Sequence, residues 1–86
     1  MQIDLTKGTW TKVTDLTDDT IYMLQGRFTH EDKFYRAEFL LTQSATEPTE
    51  EVGLLADAFK VKKVTGTDIY VMAVSTETTL NIEAVQ

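Results

Sequence analysis

The segment Gly66-Thr67-Asp68-Ile69-Tyr70-Val71-Met72-Ala73-Val74-Ser75 limits the fold more than any other part of the chain. A turn signal at Gly66 leads into an unbroken apolar run from Ile69 to Val74, half of it β-branched, and Ser75 closes it. A run of that length without polar alternation reads as a strand buried on both faces. Weaker strand patterns surround it, separated by Thr, Asp and Gly turns. The sequence therefore predicts an all-β domain with a filled centre.

The other strands follow from period-two alternation. Ile3 and Leu5 suggest a short opening strand, and Thr9 to Thr14 alternates weakly around Trp10. Between Thr20 and Phe28, Tyr22, Leu24, Gly26 and Phe28 share one face, while Ile21, Met23 and Gln25 share the other. Phe34 to Leu41 reads as one amphipathic strand, with Tyr35, Ala37, Phe39 and Leu41 opposite Arg36 and Glu38. Phe59 to Val64 sets Phe59 and Val61 against Lys60 and Lys62. Val64 then falls on the lysine face, so a bulge or twist is expected near Lys62-Lys63. Leu80, Ile82 and Ala84 close the chain on one face. Glu50 to Ala58 is the one segment with helical spacing, through Glu51, Leu54, Leu55 and Ala58. It is short and holds Gly53, so it reads as a loop or single turn. The expected architecture is a single small β-sandwich or barrel of six to seven short, mostly antiparallel strands, spanning 1–86 as one domain.

Size makes stability a question. An 86-residue chain buries only roughly 60–65% of the surface its unfolded form exposes. There is no cysteine to form a disulfide, and His30 is the sole histidine, so a structural zinc is not expected. Association with other chains is the remaining support, and a homo-oligomer is expected. The net charge of −6 opposes direct nucleic-acid binding, which needs phosphate-neutralising cations. The cluster Lys60, Lys62 and Lys63 reads as the solvated face of a strand. No apolar run approaches the roughly 20 residues that cross a bilayer, and no signal-peptide pattern opens the sequence. No membrane partner is expected, and synthesis in the cytosol is.

No constellation of residues points to catalysis. The segment Thr29-His30-Glu31-Asp32-Lys33 reads as an exposed hairpin loop between two strands. Asp15, Asp18 and Asp19, and likewise Glu47, Glu50 and Glu51, lie in polar stretches without the apolar surroundings that would separate their pKa values. The first group lacks the spacing of a calcium loop. The four glycines are scattered and form no phosphate cradle. The expectation is a non-enzyme with no cofactor, metal or catalytic residue. Trp10, Tyr22, Tyr35 and Tyr70 read as packing residues within strands.

The order of the pieces carries a resemblance. A tryptophan strand, Gly8-Thr9-Trp10-Thr11-Lys12-Val13, precedes a strand ending in Gln, Ile21-Tyr22-Met23-Leu24-Gln25-Gly26. A hydrophobic strand, Phe39-Leu40-Leu41-Thr42-Gln43-Ser44, runs into the polar Glu47-Pro48-Thr49 loop. Gly53-Leu54-Leu55 and Phe59-Lys60-Val61 follow, then Gly66-Thr67-Asp68-Ile69-Tyr70-Val71-Met72-Ala73 and a hairpin partner. From about Gly8 to Val85 this order resembles a group of small all-β virion structural proteins of tailed bacteriophages. The charged segment Arg27 to Lys33 departs from it, standing where those proteins often have a short turn. The resemblance implies a capsid-decoration (cement) or head–tail accessory protein, resident in the virion. It would act through contacts with major capsid or head–tail proteins, usually in several copies. The expected contact residues are Ile3 and Leu5, on an unpaired strand free to extend a neighbour's sheet, and Pro48, Val52, Leu54 and Leu55 in the polar loop and its exit. Two other functions compete: a carbohydrate- or receptor-binding sandwich on a tail fibre, using exposed Trp10, Tyr22 or Tyr35, and a small acidic inhibitor.

Overall fold

The apolar run forms β8 (Asp68–Ala73), buried along almost its whole length in the computed structural model, which describes residues 1–85. Eight further strands surround it: β1 (Gln2–Leu5), β2 (Thr11–Lys12), β3 (Ile21–His30), β4 (Lys33–Arg36), β5 (Phe39–Ser44), β6 (Leu54–Ala56), β7 (Ala58–Lys62) and β9 (Thr78–Val85). The all-β expectation holds, with nine strands in place of six or seven. They form two sheets in which every strand pair is antiparallel. The first has β9 between β1 and β3, with the far edge of β3 shared by β7 and β4. The second runs β2-β8-β5-β6. The shortest dimension is 18 Å, which admits two layers about 10 Å apart and no third.

Between the sheets, Leu24, Leu80 and Ile82 meet Phe39, Leu41, Ile69 and Val71, joined by Leu5, Val13, Tyr22 and Ala73. Leu24, Phe39, Ile69 and Leu80 retain no exposed surface, and each contributes about 1.5–3 kcal/mol on burial. Phe59 packs edge-on against Phe39, their centroids 5.2 Å apart. Tyr22 keeps its ring inside while its hydroxyl accepts the Thr17 N–H at 2.8 Å.

The amphipathic stretch Phe34 to Leu41 is two strands in different sheets. β4 pairs with β3 in the first sheet, and β5 pairs with β8 in the second. The corner between them rests on Gly26. Its carbonyl accepts the Ala37 N–H at 3.0 Å, and its own N–H donates to the Asp57 carbonyl at 2.9 Å. A Cβ on Gly26 would collide with the Ala37 carbonyl oxygen and the Phe39 ring. The period of two survives across the corner, so the sequence pattern shows no break.

Two other expectations change. The segment with helical spacing contains β6, which pairs with β5 through Leu41↔Leu54, Leu40↔Leu55 and Phe39↔Ala56. Gly53, at φ 123°, brings the loop against the Leu41 carbonyl and the Thr42 hydroxyl, where no side chain fits. The irregularity expected near Lys62-Lys63 lies on the facing strand. The β3–β7 register runs from Gln25↔Ala58 to Ile21↔Lys62, and then the Lys63 N–H donates to the Thr20 carbonyl at 2.9 Å while the Lys63 carbonyl accepts the Asp19 N–H at 2.7 Å, so Asp19, at φ 60°, and Thr20 together oppose one residue as in a bulge. Lys63 therefore follows Phe59 and Val61 onto the inner face. Lys60 and Lys62 are solvated as expected, whereas Lys63 is buried and its ammonium donates to Asp18 at 2.6 Å.

Two outcomes follow for stability. Gly26→Ala should cost about 2–3 kcal/mol in urea unfolding, since backbone and ring must both give way; a loss below about 0.5 kcal/mol would contradict the corner described above. Asp18→Ala should cost about 2–3 kcal/mol because it leaves a buried ammonium without its acceptor. Lys63→Met, which removes the charge and keeps the stem, should fall within about 1 kcal/mol of the parent. Equal losses in the two variants would show that the pair itself, and not the orphaned charge, sets the cost.

Candidate functional site

The most exposed of the large apolar side chains, Phe34, Leu54 and Leu55, lie in two places, with Met1, Ile21, Met23 and Val64 exposed elsewhere. The first is β6 and the loop before it, residues 45–53. β6 borders the second sheet, so one edge of its backbone is unpaired. Leu54 is 65% exposed, Leu55 53% and Val52 46%. Exposed apolar side chains on a sheet edge are an aggregation hazard unless the edge is short or charged. Here β6 has three residues, and Glu47, Glu50 and Glu51 precede it.

The loop is held in place. Thr42 donates its hydroxyl to the Val52 carbonyl at 2.8 Å. The Trp10 indole N–H donates to the Glu50 carbonyl at 3.0 Å. Trp10 directly precedes β2, whose Thr11↔Val71 and Lys12↔Tyr70 pairs place it beside Met72 on the outer face of the second sheet. Leu40, Tyr70 and Met72 are buried on that same face, away from the main core. The Trp10–Glu50 bond thus links the loop to the outer side of the second sheet, where these three side chains are buried. Loop residues from Thr46 to Val52, with Thr42 and Ser44, line a shallow concavity of about 340 Å³.

The second place is the β3–β4 hairpin, whose connection lies where the sequence predicts a hairpin loop and whose strands run further than expected. The strands reach His30 and Lys33, which pair directly, leaving a two-residue turn at Glu31 (φ 49°) and Asp32 (φ 62°). Both φ values are those of a type I′ turn, whose hand matches the twist of the strands. The β3–β9 ladder stops at Arg27↔Thr79, so β3 beyond Arg27 pairs with β4 alone. The projecting ribbon carries an aromatic contact on each face. Phe28 and Tyr35 stack at 5.2 Å, and the Arg27 guanidinium lies 4.7 Å from the Phe34 ring centre. Phe34 is nevertheless 68% exposed and Tyr35 44%.

Where the hairpin joins the sheet, β4 and β7 occupy successive stretches of one edge of β3 without meeting. The gap is a cleft of about 330 Å³ lined by Gln25, Arg27, Phe34, Arg36, Asp57 and Asn81, among others. Arg27 and Arg36 stand directly opposite each other across the strands. Arg36 reaches Asp57 at 3.8 Å with its own side chain 88% exposed, a weak pair.

Four of the six expected contact residues come together: Pro48, half-buried, with Val52, Leu54 and Leu55 on the second sheet's margin. Ile3 and Leu5 lie apart from them. Leu5 is 2% exposed and belongs to the core, so its side chain offers no contact surface, and Ile3 is half-buried against the same cluster. β1 is paired on one side, where it zips onto β9 from Gln2↔Asn81 to Leu5↔Thr78, and its other side is an edge of the first sheet. Of the aromatics considered for sugar stacking, Tyr22 is buried, Trp10 is half-buried with its N–H engaged, and Tyr35 is exposed. The hairpin surface has one signal in the sequence, a near-mirror order about Glu31-Asp32: Arg27-Phe28 on one side and Tyr35-Arg36 on the other. Comparison of the chain with protein families, with curated proteins and with solved structures gave no match.

Trp10→Phe should release the loop. Loss of the indole bond should lower stability by about 1 kcal/mol and speed proteolytic cleavage between residues 45 and 53. Unchanged cleavage at that loop would mean that Thr42 and Gly53 hold it without Trp10.

Proposed function

We propose that the chain is a non-catalytic structural protein acting through protein–protein contacts in a larger assembly, as a capsid-decoration or head–tail accessory component of a bacteriophage particle. The observation that carries the contact reading is the margin at β6: Leu54 and Leu55 stand more than half exposed on a sheet edge, while the loop beside them is fixed in place. A protein needing only to fold would gain by turning such residues inward, since each buried leucine contributes about 1.5–3 kcal/mol. A neighbouring subunit that covers them supplies that gain, and a small core is stabilised by the same contact. The particle setting rests on the order of the sequence pieces, from the tryptophan strand to the closing hairpin partner.

The test separates folding from association. Leu54→Ser/Leu55→Ser should leave urea unfolding within about 0.5–1 kcal/mol of the parent at low protein concentration, because both side chains are exposed. It should weaken binding to particles in co-sedimentation by roughly tenfold or more. A chain that stays monomeric and is absent from purified particles would remove this reading.

A further inference from the structure

We propose that the Arg27–Arg36 cleft of one copy receives the acidic 47–51 segment of a second copy. The inference rests on the contact reading above and names the occupant of a particular surface. Its starting point is an imbalance. The chain carries a net charge of −6, yet both of its arginines face each other on adjacent strands, an arrangement that is unfavourable when nothing lies between them. Asp57 offsets it weakly from 3.8 Å. Arg27 is held over Phe34, and among the described residues it has no carboxylate partner. Paired guanidiniums present planar forks of donors that suit carboxylates. The amides of Gln25 and Asn81 line the same cleft, and exposed Phe34 gives an apolar wall.

The complement lies on the same protein. Glu47, Glu50 and Glu51 are exposed and have no cationic partner among the described residues. They adjoin Val52 and Leu54, which would follow them towards the aromatic hairpin. Within one copy the contact is not made: none of these carboxylates pairs with Arg27 or Arg36, and the loop is held instead at Thr42 and Trp10. Two different patches give either an isologous dimer, in which each cleft takes the other copy's segment, or a heterologous contact that closes as a ring or else propagates.

The experiment is a charge exchange on the whole chain, read by sedimentation velocity at low salt. The parent should gain mass with concentration. Arg27→Glu/Arg36→Glu and Glu47→Lys/Glu50→Lys/Glu51→Lys should each associate roughly 30-fold more weakly or worse. An equimolar mixture of the two should recover assembly, because the first variant presents two acidic patches and the second two basic ones, so each cleft again meets a segment of opposite charge. Arg27→Gln/Arg36→Gln, which retains polarity without charge, should also weaken association and covers the case in which reversal disturbs the hairpin. Reversing Lys60 and Lys62, on the same sheet face outside the cleft, should not. A parent that stays monomeric overturns the inference, while particle binding would still uphold the contact reading. Assembly that ignores both exchanges also overturns it, and places the contact elsewhere on the surface.

Discussion

The crossing at Gly26 is the constraint on which the arrangement depends. One glycine lets the chain pass from the first sheet to the second within the space of Ala37 and Glu38, because nothing projects from Gly26 into the path of the Ala37 carbonyl and the Phe39 ring. Its two backbone groups bond to the segments on either side of the gap, Asp57 and Ala37. β7 and β4 are thereby held on a single edge of β3, and Phe39 is delivered to the centre of the core. The cleft above the gap is a by-product of that geometry: two strands share an edge without touching. The surface feature with the strongest charge pattern and the innermost aromatic therefore have one origin.

The fold was largely legible because its signals were long and regular. β8, β3 and β9 show their periods directly, and they supply most of the core. What stayed hidden depended on contacts distant in sequence. Tyr35, Ala37, Phe39 and Leu41 keep alternating across a corner that only Gly26, ten residues or more upstream, makes possible. Leu54 and Leu55 have helical spacing with Glu51 and Ala58, but pairing with Leu40 and Leu41 decides their conformation. Lys63 looked like a third solvated lysine because charge, and not register, was the visible clue; Asp18 allows it inward.

The candidate surface was legible by half. Pro48, Val52, Leu54 and Leu55 stood out as apolar residues in a polar stretch, a property that burial elsewhere does not erase. Ile3 and Leu5 had the same pattern, but a strand's own alternation cannot say whether a partner waits at the other end of the chain. β9 is that partner. The hairpin connection is legible in Thr29 to Lys33, which are turn-like and solvated, but the length of its strands is not, because the ring contacts that stiffen it join positions on opposite sides of the turn.

The position of β9 has a consequence for how the molecule is made. It follows the other eight strands in chain order, yet it lies between β1 and β3 and supplies Leu80 and Ile82 to the interior. Until it is made, β1 has no ladder to join, and the inner face of the first sheet is incomplete. Completion is therefore a late, cooperative event dominated by distant pairing, the slow kind of β assembly. A newborn chain must keep its apolar strands from mispairing in the interval, and its net charge of −6 opposes encounters between copies that are not yet folded.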